Sequence, residues 1–137
     1  MGSQQLLLIV LGLIIVGVAV VVGIGMFQDN ALDHNRAMVI ADLKTLASKA
    51  QHYYSRPMTM GGGNNSFVGL TADARGIGML AGTAFTDNAN GTYSIMSDAT
   101  STEVDLQGVG KVNLPDGSFP TYEMAVGNLS QTLTKIN

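Results

Sequence analysis

The chain has 137 residues, with seven Lys and Arg against ten Asp and Glu and a formal net charge of −3. That length suits one domain rather than two, and the acidic balance, with its few cations scattered along the chain, argues against a nucleic-acid partner, whose phosphates need clustered Lys and Arg. There is no cysteine, which excludes both a disulfide framework and a thiolate metal site.

From Leu6 to Phe27 every residue is Leu, Ile, Val, Ala, Met, Phe or Gly, and the first charged side chain is Asp29. At about 1.5 Å of rise per residue, a helix over this run extends roughly 33 Å, enough to cross a hydrocarbon core about 30 Å thick. A cleaved secretory signal has a positively charged start and a shorter apolar region. The opening Met-Gly-Ser-Gln-Gln carries neither Lys nor Arg. Setting the apolar run aside leaves about 110 residues, a size at which one small head folds with marginal stability.

Past Phe27 the chain meets no proline before Pro57. Leu32, Val39, Leu43, Leu46, Ala50 and Tyr53 recur at three- and four-residue spacing, so the helix is expected to continue to about Tyr54 with one apolar face. Lys44, Ser48, Lys49 and Gln51 fall mostly on the other side, with Asp42 near the boundary. Such a helix, apolar all round below and two-faced above, needs a partner along its upper half. It should end at Arg56-Pro57, because proline disfavours helical geometry in the residue before it, and Gly61-Gly62-Gly63-Asn64-Asn65-Ser66 reads as loop.

Between Phe67 and Phe85 apolar residues mix with four glycines, and the stretch reads as a short helical turn or strand plus loop. Strand signals follow. Asn90-Gly91 is a turn dipeptide ahead of Thr92 to Met96, in which Tyr93 and Ile95 alternate with polar neighbours. Thr102 to Leu106 sets Val104 and Leu106 against Glu103 and Asp105, Pro115-Asp116-Gly117 marks a turn, and Tyr122 to Val126 and Leu129 to Ile136 are the last two expected strands. The predicted fold is α+β, a long N-terminal helix whose amphipathic part packs on the apolar face of a small antiparallel sheet. Three parts are expected: 1–28, the apolar half of the helix; 29–56, its amphipathic half; and 57–137, the β-rich head with its Gly-rich loop.

Gln4-Gln5-Leu6 opening an unbroken apolar run, the amphipathic continuation to Tyr54 and the Gly-rich loop leading to a small sheet resemble the type IV pilins and the pseudopilins of type II secretion. The resemblance covers the chain as far as Tyr54 and, in outline, the head. It implies a prepilin peptidase that cuts after a glycine, methylation of the new N-terminus, residence in the inner membrane, and then packing into a helical filament of identical subunits by the pilus assembly machinery. The filament core would be built from Leu6, Leu7, Leu8, Ile9, Val10, Leu13, Ile14, Val18, Val22, Ile24 and Phe27. The resemblance further implies a structural rather than an enzymatic role, carried out at the cell surface, with no cofactor.

Two departures from the family pattern stand out. The family's glutamate, five residues from the mature N-terminus, contacts the terminal amine of a neighbour. With Met1 as the mature start, after removal of a leader, that place is held by Gln5, which keeps an acceptor oxygen but replaces an ion pair by a hydrogen bond. Cleavage after Gly2 would put Leu7 there, a poorer match. The proline common late in the family's apolar segment is also absent, and Gly12, Gly17, Gly23 and Gly25 stand in the region instead. These glycines either loosen the helix, at about 1 kcal/mol each relative to Ala, or permit close helix packing in lipid. A major pilin is the leading reading, with a pseudopilin, a minor tip subunit, or a single-pass membrane protein with an outer binding domain as alternatives.

Other candidate sites are weaker. Asp87, Asn88 and Asn90 could offer oxygens to calcium, although the same composition makes an ordinary turn. Asn64, Asn90 and Asn128 each open an N-x-S/T sequon. His34 and His52 stand several turns apart on the helix, too far to share a ligand set, and are read as solvated. No Ser-His-Asp, paired-carboxylate or phosphate-loop pattern is present, so no catalytic site is expected.

Overall fold

The computed structural model describes residues 2–137. It is an α+β chain: a 54-residue helix α1 (Gly2–Ser55), a 3-10 turn (Met58–Met60), a short helix α2 (Ala74–Ala81), a second 3-10 turn (Thr83–Phe85), and strands β1 (Gly91–Ile95), β2 (Glu103–Gly110), β3 (Thr121–Gly127) and β4 (Gln131–Lys135). Helix α1 runs through Phe27 without a break and through all four glycines at 12, 17, 23 and 25. By internal contacts the chain divides into two units, one ending at Asp33 and the other His34–Asn137. The amphipathic part of α1 from His34 onward therefore belongs with the head.

In the first unit the large apolar side chains of the Leu6 to Phe27 run are all exposed, from 49% at Val10 to 78% at Phe27. The second unit has an ordinary core. Val39, Leu43, Leu46, Ala47 and Ala50 of α1 are fully buried, with Tyr53 nearly so, and they meet Tyr93, Ile95, Val104, Leu106, Tyr122, Met124 and Val126 from the sheet. The apolar stripe read from helical spacing is the buried one.

The sheet is an antiparallel meander in the order β1-β2-β3-β4. Along β2 and β3 buried and part-exposed residues alternate, so that Val104 and Leu106 turn inward while Glu103 and Asp105 turn outward. Strand β2 is longer than its alternation of large residues suggested. Its closing stretch, Gln107 to Gly110, includes two glycines with no side chain to register the period, yet it pairs with β1 and β3. Strand β4 starts at Gln131, two residues after the expected Leu129, which is 95% exposed in the preceding bend. All of β4 is exposed.

The stretch from Phe67 to Phe85 contains a helix rather than a strand. Asp73 caps α2, its carboxylate accepting from the Arg75 N–H at 3.0 Å, and Ile77 is buried. The Thr71 hydroxyl, which donates to the same carboxylate, and the N–H groups of Arg75 and Gly76 hold the Asp73 carboxyl below its usual range against a small opposing cost of burial.

The Gly-rich loop is not a free tether. The N–H groups of Gly63, Asn64 and Asn65 donate to the carbonyls of Tyr53, Arg56 and Tyr54 at 2.8, 3.0 and 2.7 Å. The loop thereby satisfies carbonyls that every helix C-terminus leaves open. Glycine is required because a Cβ at Gly62 would collide with the backbone of Arg56.

Candidate functional site: the apolar helix and two charged patches

The most conspicuous surface is the first half of α1. Leu6, Leu7, Leu8, Ile9, Val10, Leu13, Ile14, Val18, Val22, Ile24 and Phe27 are all exposed, on a helix long and apolar enough to cross a membrane. A soluble monomer seldom shows a contiguous apolar patch beyond a few hundred Å². Gln5 is exposed on the same helix, while Met1, its expected partner in subunit contact, lies outside the described residues. Around Gly12, Gly17, Gly23 and Gly25 nothing lies within 4 Å of an added Cβ.

Polar side chains of α1 tie the helix to the rest of the second unit, among them the Tyr53 hydroxyl, which donates to the Val68 carbonyl at 3.0 Å. Asn35 is buried and fully used: its amide donates to the Asn90 carbonyl at 2.7 Å, and its oxygen accepts from the N–H groups of Lys111 and Val112. Asp42 Oδ2 accepts from the Tyr93 hydroxyl at 2.6 Å and from the amides of Asn90 and Asn88 at 3.0 and 3.2 Å. Burial first, and then the Asp42 carboxylate, push the Tyr93 phenol far above its ordinary range and keep it protonated. Gln51 donates to the Gly127 carbonyl at 3.1 Å and accepts from the Gln131 amide. Neither Asn35 nor Asp42 carries a sequence signature of this role, since the partners of each lie far away along the chain.

The side chain of Asp87 takes one partner and those of Asn88 and Asn90 another. Asn88 and Asn90 converge on Asp42 as amide donors, and the Asn88 oxygen is taken up by the N–H groups of Asn90 and Gly91. Asp87 turns instead to Lys111, with which it forms an ion pair. Among the described residues no three His, Cys, Asp or Glu side chains gather as a metal-binding group. Of the sequon asparagines, Asn64 and Asn128 are exposed. The amide of Asn90, partly buried, donates to Asp42.

His34 and His52 are both exposed. His52, however, is not isolated. With Lys49 and Arg56 it lines one wall of a groove of about 590 Å³, and Met79 and Leu80 of α2 line another. The spacing of 49, 52 and 56 is one helical face, a signal present in the sequence but readable there only as a solvated flank. On the outer face of the sheet a smaller depression of about 350 Å³ is lined by Asp105 of β2 and Glu123 of β3, with Met96 and Thr134. Glu123 pairs with Gln107, which sets Asp105 diagonally across from it. Among the described residues Lys49, Arg56, Asp105 and Glu123 form no ion pair within the chain.

Comparison of the chain with protein-family models, with curated proteins and with solved structures finds no match. What can be asserted of its class therefore rests on the chain itself: an α+β protein whose long apolar N-terminal helix is a candidate membrane anchor.

Proposed function

We propose that this chain is the structural subunit, in the role of a major pilin, of a type IV pilus-like filament. It would reside in the inner membrane until the assembly machinery draws it into a helical fibre of identical copies at the cell surface. One observation carries the reading. The run from Leu6 to Phe27 has no charge, is helical, and exposes all of its large side chains. Yet the same helix goes on to supply Val39 to Tyr53 to the core of an ordinary folded head.

In lipid the acyl chains solvate that surface. Out of lipid, burial against other copies becomes the dominant favourable term, at about 25 cal/mol per Å² of apolar area removed from water. Charge in such a core is costly, and the run carries none. A contact that repeats with a constant rise and rotation does not close on itself, and so propagates as a fibre.

The test is electron microscopy of the fraction sheared from cells that express the chain, together with mass spectrometry of its N-terminus. Long filaments containing the chain, and a methylated amine at Met1, support the reading. Short filaments confined to the periplasm point to a pseudopilin. Monomeric, detergent-soluble protein with an unmodified start and no filaments overturns the proposal in favour of a simple membrane-anchored domain.

A further inference from the structure

We infer that the Lys49, His52 and Arg56 groove of one copy docks on the Asp105 and Glu123 depression of the next copy, giving the heads a front-to-back contact. The inference rests on the filament reading and names the contact that would set the register between neighbouring heads.

Charge complementarity selects the occupant. The groove presents a lysine, an arginine and an imidazole, and the depression presents two carboxylates. Among the described residues none of these four charged side chains, Lys49, Arg56, Asp105 and Glu123, has an ion-pair partner inside its own chain. Lys49 and Arg56 are exposed, and their long stems can carry a charged head into the acidic depression while lying along apolar surface such as Met79 or Met96. An Arg meeting carboxylates adds directional, forked hydrogen bonds to the Coulomb term.

Position selects the mode of contact. From His34 onward, α1 lies on the inner face of the sheet, where Asp42 meets the Tyr93 hydroxyl and Asn35 receives the N–H groups that follow β2. Asp105 and Glu123 belong by strand alternation to the outer face. The groove, between α1 and α2, and the depression, on the outer face of the sheet, are different patches of the same layered unit, so the contact sets one patch of a copy against a different patch of the next. The pairing is heterologous, leaving a free groove at one end and a free depression at the other, which is the condition for an open assembly. Rim charges of this kind fix register and exclude wrong neighbours more than they add affinity, leaving the bulk of the driving force to the apolar helix.

Two measurements test it. Filament yield is compared for Arg56→Glu, for Glu123→Arg and for both changes in one chain. Each single reversal is expected to lower yield about tenfold by setting like charges face to face. The double change is expected to restore it, as is co-expression of the two single variants, whose altered groove and altered face fit one another. Single variants that assemble at wild-type yield overturn the contact. So does a loss that the second reversal fails to restore, which would assign the groove to anionic lipid or to the assembly machinery.

The second measurement needs no filament and no variant. Isotope-labelled and unlabelled full-length chains are mixed in micelles and treated with a zero-length carbodiimide, which joins an amine to a carboxylate with loss of water. Peptides linking Lys49 of one copy to Asp105 or Glu123 of a differently labelled copy are expected. Their absence, or their occurrence only within single copies, overturns the inference. If the link forms while the wild-type chain makes no filament, the filament reading fails and the docking contact stands.

Discussion

Val39 of α1 rests on Gly108 of β2: a Cβ built on that glycine would lie 3.0 Å from a Val39 methyl and 3.0 Å from the Tyr93 ring. Tyr93 is the cross-strand partner of Gly108, so the helix crosses the sheet where one strand offers no side chain and its neighbour offers a large one. Gly108→Val is expected to cost about 2–3 kcal/mol through overpacking. Combining it with Val39→Ala, which removes the opposing methyls, should cost less than the two changes summed. Denaturant unfolding of the four species of the double-mutant cycle measures the coupling.

Tyr93→Phe removes one of three donors to Asp42 Oδ2 and leaves the other two in place. A loss of about 1.5–3 kcal/mol is expected, as for a hydrogen bond to a charged group. The pH dependence has a definite sign. Because the folded phenol titrates well above the unfolded one, its contribution is fully present below the ordinary tyrosine value near 10 and is lost as pH rises above it. Thermal unfolding should show wild type converging on the Phe variant as pH is raised above about 10.

A carboxylate at the middle of the apolar run separates anchoring from folding of the head. Val18→Asp places a charge where a spanning helix is least tolerant, at about 2.5–3.5 kcal/mol. Membrane fractionation should show the variant shifting to the soluble or degraded pool. Near-ultraviolet circular dichroism of the purified chain should be unchanged, because Val18 is exposed and lies outside the unit that contains the head. Retention in the membrane at wild-type level would count against the anchor.

The glycines of α1 give a sharper test of assembly. Each of Gly12 and Gly17 has open space around an added Cβ, so Ala at either should strengthen the helix by about 1 kcal/mol. If the glycines serve close packing or local unwinding among copies, Gly17→Ala raises helicity by circular dichroism while reducing filament yield. Unchanged yield would reduce them to incidental small residues.

At acid pH the cap of α2 should weaken. The Asp73 carboxyl is held below its ordinary range mainly by the Thr71 hydroxyl. Its stabilisation is therefore present above the unfolded carboxylate value and disappears as pH falls through the lower folded one. Amide protection factors in Ala74–Ala81, corrected for the intrinsic exchange rate at each pH, should fall over that window in wild type and be low throughout in Asp73→Ala.

Much of this molecule was legible because its strongest signals are local and periodic. The charge-free run from Leu6 to Phe27 reads as a helix long and apolar enough to cross a membrane, and it is helical, while the stripe from Val39 to Tyr53 chose its own buried face. Over Phe67 to Phe85 the sequence leaves helix and strand undecided because its glycines break the pattern of large residues, although Asp73 ahead of the helix Ala74–Ala81 is a capping residue. Gly108 and Gly110 hid the end of β2 for the same reason.

What the sequence by itself determined is the rod and its two characters, apolar to Phe27 and two-faced beyond, because helical periodicity and hydropathy act between residues three and four apart. Only the tertiary structure decided which polar side chains of that rod hold the head. Asn35 with Asn90 and Lys111, and Asp42 with Tyr93, meet through chain separations at which no local pattern survives. It also decided that Lys49 and Arg56 share a groove with α2 while Asp105 and Glu123 lie on the outer face of the sheet. The placement of charge on a surface follows from how the layers pack, not from the order in which residues are strung.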